Sequence, residues 1–103
     1  LKLNLVLTSG GTGFGERDVT PEATWAVINK AAPGIYNAIL YYGLQKTPRA
    51  MLSRGIAGIR RQSLIINLPG SPKGVRESLE AIRDILRHGL EILLGQTGEC
   101  GED

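Results

Sequence analysis

A glycine-rich string set between an apolar run and a helix start limits this chain to few folds. Residues 3–7, Leu-Asn-Leu-Val-Leu, lead into Thr8-Ser9-Gly10-Gly11-Thr12-Gly13, and Arg17-Asp18-Val19-Thr20-Pro21-Glu22-Ala23 follows closely. The near-continuous apolarity of 3–7 predicts a strand covered on both faces. Thr20 as a cap, Pro21 at the first helical position and Glu22 at the positive end of the helix dipole predict a helix start. Strand, glycine loop and helix in that order are how an α/β protein offers backbone N–H groups to an anion. Glycine serves there because it accepts positive φ and, lacking a Cβ, lets a ligand reach the main chain. The loop matches neither G-x-G-x-x-G nor the P-loop, so by itself it reads as readily as an ordinary turn.

Helices and strands alternate through the rest of the chain. Ala23, Ala26, Val27 and Ala31 form an apolar stripe on the first helix, with Trp25 and Ile28 beside it, and Pro33-Gly34 closes it. A second helix is predicted over residues 35–44, burying Ile35, Ala38, Ile39 and Tyr42. Thr47-Pro48 then caps a short helical turn through Leu52. Residues 54–60 read as a strand and Ser63–Leu68 as a strand of the buried kind. Joined through Arg60-Arg61-Gln62, the two make an antiparallel hairpin whose turn lacks the usual Asn-Gly chemistry.

A second special loop, Pro69-Gly70-Ser71-Pro72, opens the longest helix, with Ser71 as its cap and Pro72 as its first residue. Its stripe is Val75, Leu79, Ile82, Leu86 and Leu93, widened by Ile85 and Leu90, and Gly95 stops it. The fold class is therefore α/β: a three-layer αβα sandwich with a mostly parallel sheet and one antiparallel hairpin. In such a sheet both special loops leave the carboxyl ends of their strands. They open on one edge, where open α/β sheets bind ligands.

Composition narrows the functions. A chain of 103 residues fits one small domain, with residues 1–95 as one unit and the polar, acidic 96–103 as a disordered tail. A net charge of +2 and an aromatic content of 5% argue against a nucleic-acid surface. The single cysteine, Cys100, excludes an internal disulfide and fits a reducing, cytoplasmic compartment. No apolar run reaches the length of a membrane span. Leu1 runs almost directly into a buried-type strand without an initiator Met, which points to a chain that starts inside a domain.

Residues 8–13 together with Arg17-Asp18-Val19-Thr20-Pro21-Glu22-Ala23-Thr24 are specific enough to resemble one family. The string resembles the molybdopterin-binding domain of molybdenum-cofactor biosynthesis proteins. Its nearest branch is that of the adenylyltransferases, which includes the bacterial enzymes, the plant G domain and the gephyrin G domain. Thr47-Pro48, Met51-Leu52-Ser53-Arg54, Ala57-Gly58-Ile59-Arg60 and Leu64-Ile65-Ile66-Asn67-Leu68-Pro69-Gly70-Ser71 look like further family blocks in the expected order. The related molybdenum-insertase domain resembles the chain less, because it lacks the Arg-Asp-Val-Thr-Pro-Glu-Ala string. The resemblance covers roughly residues 3–94 and implies that N-terminal βα units of the domain are lacking, roughly 50–70 residues at the usual size of such units.

The resemblance implies Mg²⁺-dependent transfer of an adenylyl group from ATP to molybdopterin, with release of pyrophosphate. Phosphoryl-type transfers need positioning and charge neutralisation more than covalent chemistry from the protein. By resemblance, Ser9, Gly10, Gly11, Thr12 and Gly13 cradle phosphate, with Arg17 in the same string. Asp18 acts catalytically and holds Mg²⁺, an ion that prefers oxygen ligands. Ser53 matches a serine associated with the pterin, and Pro69, Gly70 and Ser71 close the opposite wall.

On local grounds alone, Asp18 is equally an acid steadying the helix start, while Ser53 reads first as a cap or exposed hydroxyl and Pro69–Pro72 first as a turn and helix start. Lys46, Arg49, Arg54, Arg60, Arg61 and Lys73 read as a solvated face from which some could meet phosphates, His88 as a surface residue and Cys100 as incidental. A homotrimer and a fused or associated molybdenum-insertase domain are implied in the same way. Two other functions stay open: a gephyrin-like scaffold acting through assembly, and a module that binds molybdopterin without adenylylating it.

Overall fold

The structure, a computed structural model, describes residues 3–95. The tail predicted over 96–103 lies outside the described residues, as does Cys100. Strand β1 (Leu5–Ser9) is followed by helix α1 (Thr20–Val27), strand β2 (Lys30–Ala31) and helix α2 (Pro33–Lys46). A 3₁₀ turn (Pro48–Leu52), strands β3 (Ala57–Arg60) and β4 (Ser63–Leu68) and the long helix α3 (Pro72–Leu93) complete it.

The strands form one open sheet in the order β1-β4-β3-β2. β1 pairs parallel with β4, Leu5 opposite Leu64 through Ser9 opposite Leu68. β4 pairs antiparallel with β3, and β3 antiparallel with β2. The predicted hairpin is thus present, but the sheet is mixed where the apolar strands pointed to a mostly parallel one. The extra antiparallel pairing comes from β2, which occupies residues assigned by sequence to the end of the first helix.

Two contacts explain why α1 ends early. Arg60 Nη1 donates to the Val27 carbonyl at 2.9 Å, and Asn29 N–H donates to the Ile59 carbonyl at 2.6 Å. Once Asn29 joins β3 the helix cannot continue. Pro33-Gly34 therefore opens α2 instead of closing α1, with Pro33 in the first turn where its missing N–H costs nothing.

Side-chain alternation along β4 separates the two faces of the sheet. Leu64, Ile66 and Leu68 face α2 and α3 and form the core with Tyr36, Ile39, Ala57 and Ile82. Asn67 points the other way, toward α1, so helices cover both faces and the three-layer arrangement holds. Asn67 is fully buried, and every polar atom of its amide is used. Oδ1 accepts from Ile56 N–H at 3.0 Å, and Nδ2 donates to the Thr8 and Thr24 hydroxyls, each at 3.0 Å.

The buried positions of α1 are Pro21 and Thr24, while Ala23, Trp25, Ala26 and Val27 are exposed. The expected alanine stripe is not the buried face, because a polar residue of β4 selects a polar partner. The strand read over residues 54–60 shortens to β3 because Arg54 and Gly55 serve other contacts, given below. At the hairpin, Arg61 takes φ +55°, and its N–H donates to Asn29 Oδ1 at 2.8 Å. That side-chain bond does what Asn-Gly chemistry does in an ordinary tight turn.

Candidate functional site

Because β1 and β4 run parallel and end in register at Ser9 and Leu68, the two special loops leave the same edge of the sheet. They meet there. Gly10 N–H donates to the Leu68 carbonyl at 2.9 Å, and the Ser9 hydroxyl donates to the Pro69 carbonyl at 3.1 Å. A Cβ built on Gly70 would lie 3.4 Å from Gly10 Cα. Gly10 and Gly11 take φ +90° and +72°, which side-chain-bearing residues rarely adopt. At Gly11 a Cβ would also fall 2.1 Å from Thr20 Oγ1. Thr20 consequently does not cap α1: Val19 occupies that position, and Thr20 N–H donates to the Gly11 carbonyl at 3.1 Å.

Asp18 folds back onto this loop. Its Oδ2 accepts from Gly15 N–H at 2.8 Å, and its own N–H donates to the Gly15 carbonyl at 3.0 Å. A Cβ on Gly13 or Gly15 would stand 2.8 Å from the same carboxylate oxygen. Those glycines thus give the carboxylate its place beside the main chain. Thr12 is 6% exposed, and its carbonyl accepts from Arg54 N–H at 2.8 Å. Arg17 is exposed.

Sequence reasoning placed Arg54 on a solvated face, and its actual position is the main feature it missed. Its Nε donates to the Gly13 carbonyl at 2.8 Å, and Nη2 to the Asp18 carbonyl at 2.5 Å. Nη1 pairs with Glu22 Oε2 at 2.6 Å. One planar guanidinium therefore staples the glycine loop to the first turn of α1, a task its rigid fork suits better than an ammonium. The Arg54 hydrogen bond holds the Glu22 carboxyl below its ordinary value. The only signal in the sequence was the adjacency of Arg54 to Ser53 in a recognised block.

Ser53 itself is turned away from the glycine loop. Its Oγ lies 2.5 Å from the Tyr36 hydroxyl and 3.4 Å from Gly55 N–H. Ser53, Tyr36, Arg49, Pro69, Ser71 and Lys73 line a cavity of about 500 Å³. Ser71 caps α3 as expected, accepting from Gly74 N–H at 3.0 Å, so its oxygen already serves its own helix. A larger open groove of about 800 Å³ begins at Ser9 and Gly70 but continues along α3 past Val75, Leu79 and Leu86, away from Asp18 and Ser53. The sequence-predicted residues thus fall into two clusters. Ser9–Gly13 and Asp18 form one. Ser53 and Ser71 line the 500 Å³ cavity with Pro69, joined to the first through Arg54, whose N–H bonds Thr12 and whose side chain bonds Gly13.

Among the described residues no three His, Cys, Asp or Glu side chains converge on a metal position. No described helix is long and apolar enough to cross a membrane. What the arrangement offers chemically is a side-chain-poor loop for an anion, one carboxylate folded into it, and a cavity with two cations a short way off.

Residues 2–88 match a family described as "Probable molybdopterin binding domain". Over 99 residues the chain is 46% identical to the molybdopterin adenylyltransferase of Helicobacter pylori strain 26695, covering 96% of this chain and 56% of that protein. It is 52% identical over 93 residues to the gephyrin of Dictyostelium discoideum, covering 90% of this chain and 13% of that protein. The solved molybdopterin biosynthesis enzyme MoaB of Thermus thermophilus superposes with a TM-score of 0.84 at 54% identity, covering 90% of this chain and 58% of that one. The chain spans about half the length of the bacterial adenylyltransferases it matches, 56% of the Helicobacter protein and 48% of the Escherichia coli one.

Proposed function

This chain belongs to the molybdopterin-binding domain family, and from that premise we propose that it carries part of a molybdopterin adenylyltransferase site. The reaction joins an oxygen of the terminal phosphate of molybdopterin to the α-phosphorus of ATP. The bond from that phosphorus to the bridging oxygen breaks, and pyrophosphate leaves with the electron pair. The observation that carries the reading is the Asp18 carboxylate folded into the glycine loop where β1 and β4 end together. Residues 10–13 receive phosphate at the open main chain of Gly10, while the space that side chains would fill at Gly11 and Gly13 is taken by Thr20 and Asp18.

Mg²⁺ fits such a site, because it takes one or two carboxylates and otherwise phosphate oxygens and water. Asp18 would hold it, and the ion would neutralise charge on the triphosphate. Glu22 is taken by Arg54, and Asp18 is the acid that folds into the glycine loop, with its Oδ2 held by Gly15 N–H. Arg54 keeps the loop closed around that acid. Ser53, Arg49 and Lys73 face the pterin and its phosphate from the cavity beside the glycine loop. Ser9 acts through its bond to Pro69, and Arg17 meets phosphate from the exposed side.

The complete protein is proposed to act in the cytoplasm as a homotrimer. Exposed Trp25, Met51 and Phe14 offer apolar surface for such self-association. The experiment measures ATP-dependent pyrophosphate release and molybdopterin binding separately. Asp18→Ala should abolish release and leave binding within about threefold. Full turnover by that variant would remove Asp18 from the catalytic set. The gephyrin relative supports a second reading, in which the domain serves assembly beside a fused molybdenum-insertase domain. A partner-binding phenotype that survives Asp18→Ala would favour it.

A further inference from the structure

Tyr36 is a large polar residue in an apolar core, and the fold does not need its hydroxyl to fill space. The ring is 7% exposed and packs with Ile39 and Ala57 beneath the sheet. It also lies against Gly55, where a Cβ would come within 2.4 Å of the ring carbons. Gly55 has thus surrendered its side chain to let this ring through. Carried that far, the hydroxyl stops 2.5 Å from Ser53 Oγ, on the wall that Tyr36 and Ser53 share in the 500 Å³ cavity.

A serine hydroxyl has one proton to give and two lone pairs to receive with. The phenol is the more acidic of the two hydroxyls and the better donor. Burial pushes its pKa above the ordinary value, so it stays protonated across the neutral range. When Tyr36 donates to Ser53, the protein side of the Ser53 oxygen is engaged, with Gly55 N–H 3.4 Å from the same atom. The Ser53 proton is then left to point into the cavity.

We infer that Tyr36 is a positioning residue for ligand recognition: its hydroxyl orients Ser53 so that Ser53 donates a hydrogen bond to an acceptor atom of the pterin-bearing phosphate in the Arg49–Lys73 cavity. This rests on the proposed function for the identity of the ligand. Tyr36 does not touch that ligand. A phenylalanine in its place would keep the packing against Gly55 and let the Ser53 hydroxyl swing back toward the protein. The loop that holds Asp18 is anchored by the Arg54 side chain, one residue on from Ser53, and Tyr36→Phe leaves those contacts in place, so its effect should fall on the pterin side.

The test compares wild type, Tyr36→Phe, Ser53→Ala and the double variant in the full-length protein. Molybdopterin binding is titrated in the absence of ATP, and KM for ATP is measured in the pyrophosphate-release assay. Tyr36→Phe should weaken molybdopterin binding roughly fivefold, the worth of one hydrogen bond. KM for ATP should stay unchanged, and Tm should fall by no more than the few degrees that one buried hydrogen bond is worth. Ser53→Ala should weaken binding at least as much, and the double variant no more than Ser53→Ala alone, because the two act as one unit.

Unchanged binding by Tyr36→Phe would overturn the inference, as would losses that simply add in the double variant. An equal rise in KM for ATP, which a general loosening of the fold would produce, would also overturn it. A wild type that binds molybdopterin but releases no pyrophosphate would sink the transfer reading and leave this one standing on the binding data. A wild type that does not bind molybdopterin would sink both.

Discussion

The two faces of the sheet are held in opposite ways. Toward α2 and α3, Leu64, Ile66 and Leu68 meet Ile39, Tyr36 and Ile82 in a contact that is almost wholly aliphatic and aromatic. Toward α1, the same strand offers Asn67, which donates to Thr24 of the helix and is fixed by Thr8 and Ile56 beside it, while the Arg54 guanidinium ties the glycine loop to the first turn of α1. Apolar burial is strong but indifferent to small rotations, whereas a hydrogen bond loses its value within a few tenths of an ångström and some tens of degrees. The molecule places non-directional cohesion where only stability is needed. Directional bonds lie on the side that carries the glycine loop.

Substitutions on the two faces should therefore fail differently. The largest effect is expected from Ile66→Ala, which leaves a cavity at a fully buried position and should lower unfolding free energy by about 3 kcal/mol. Urea unfolding measures it, and amide exchange should quicken on both faces together. Asn67→Ala should cost roughly 2 kcal/mol by stranding its partners in a dry site. Here exchange at Thr8, Thr24 and Ile56 should accelerate before that of α3. If α3 loosens equally, the two faces are not distinct in the way described.

Arg54→Lys keeps a positive charge but cannot span two carbonyls and a carboxylate. It should change global stability by less than about 1 kcal/mol. Amides of residues 13–22 should nonetheless exchange roughly tenfold faster, by the free-energy equivalent of one lost charge-assisted bond. The smallest effect concerns pH. Because Arg54 holds the folded-state pKa of Glu22 below the ordinary 4.5, the pair's contribution is present above that value and disappears as pH falls through the lowered one. Glu22→Gln should flatten that acid limb of loop protection. An unchanged limb would mean that the clamp does not depend on the carboxylate.

What the sequence revealed follows the same division. β4, α2 and α3 were legible because long apolar runs and capping residues such as Ser71 with Pro72 act locally. The α1 face was not. Lys30 and Ala31 carry no strand propensity, and β2 exists only because Asn29 and Ala32 bond to β3. Trp25 sits among alanines at helical spacing, yet it is 61% exposed because Asn67 and Thr24 set the helix on its polar side. Arg54 reaches partners 32 to 41 residues away, a distance at which no local pattern announces a hydrogen bond. The glycine loop and Asp18 were identified from their string, but the geometry that joins them was not.

The contact between Gly10 and Gly70 carries a consequence for how this site can be altered. Nothing but hydrogen separates the two main chains there, and Gly70 has room for a methyl group at most before it meets Gly10 Cα. The two loops lie 60 positions apart along the polypeptide, yet neither has a shape of its own to vary. Transplanting one of them from a relative would bring in a backbone path fitted to a different counterpart. They are interchangeable between homologues only as a matched pair, so drift at one should be followed by drift at the other.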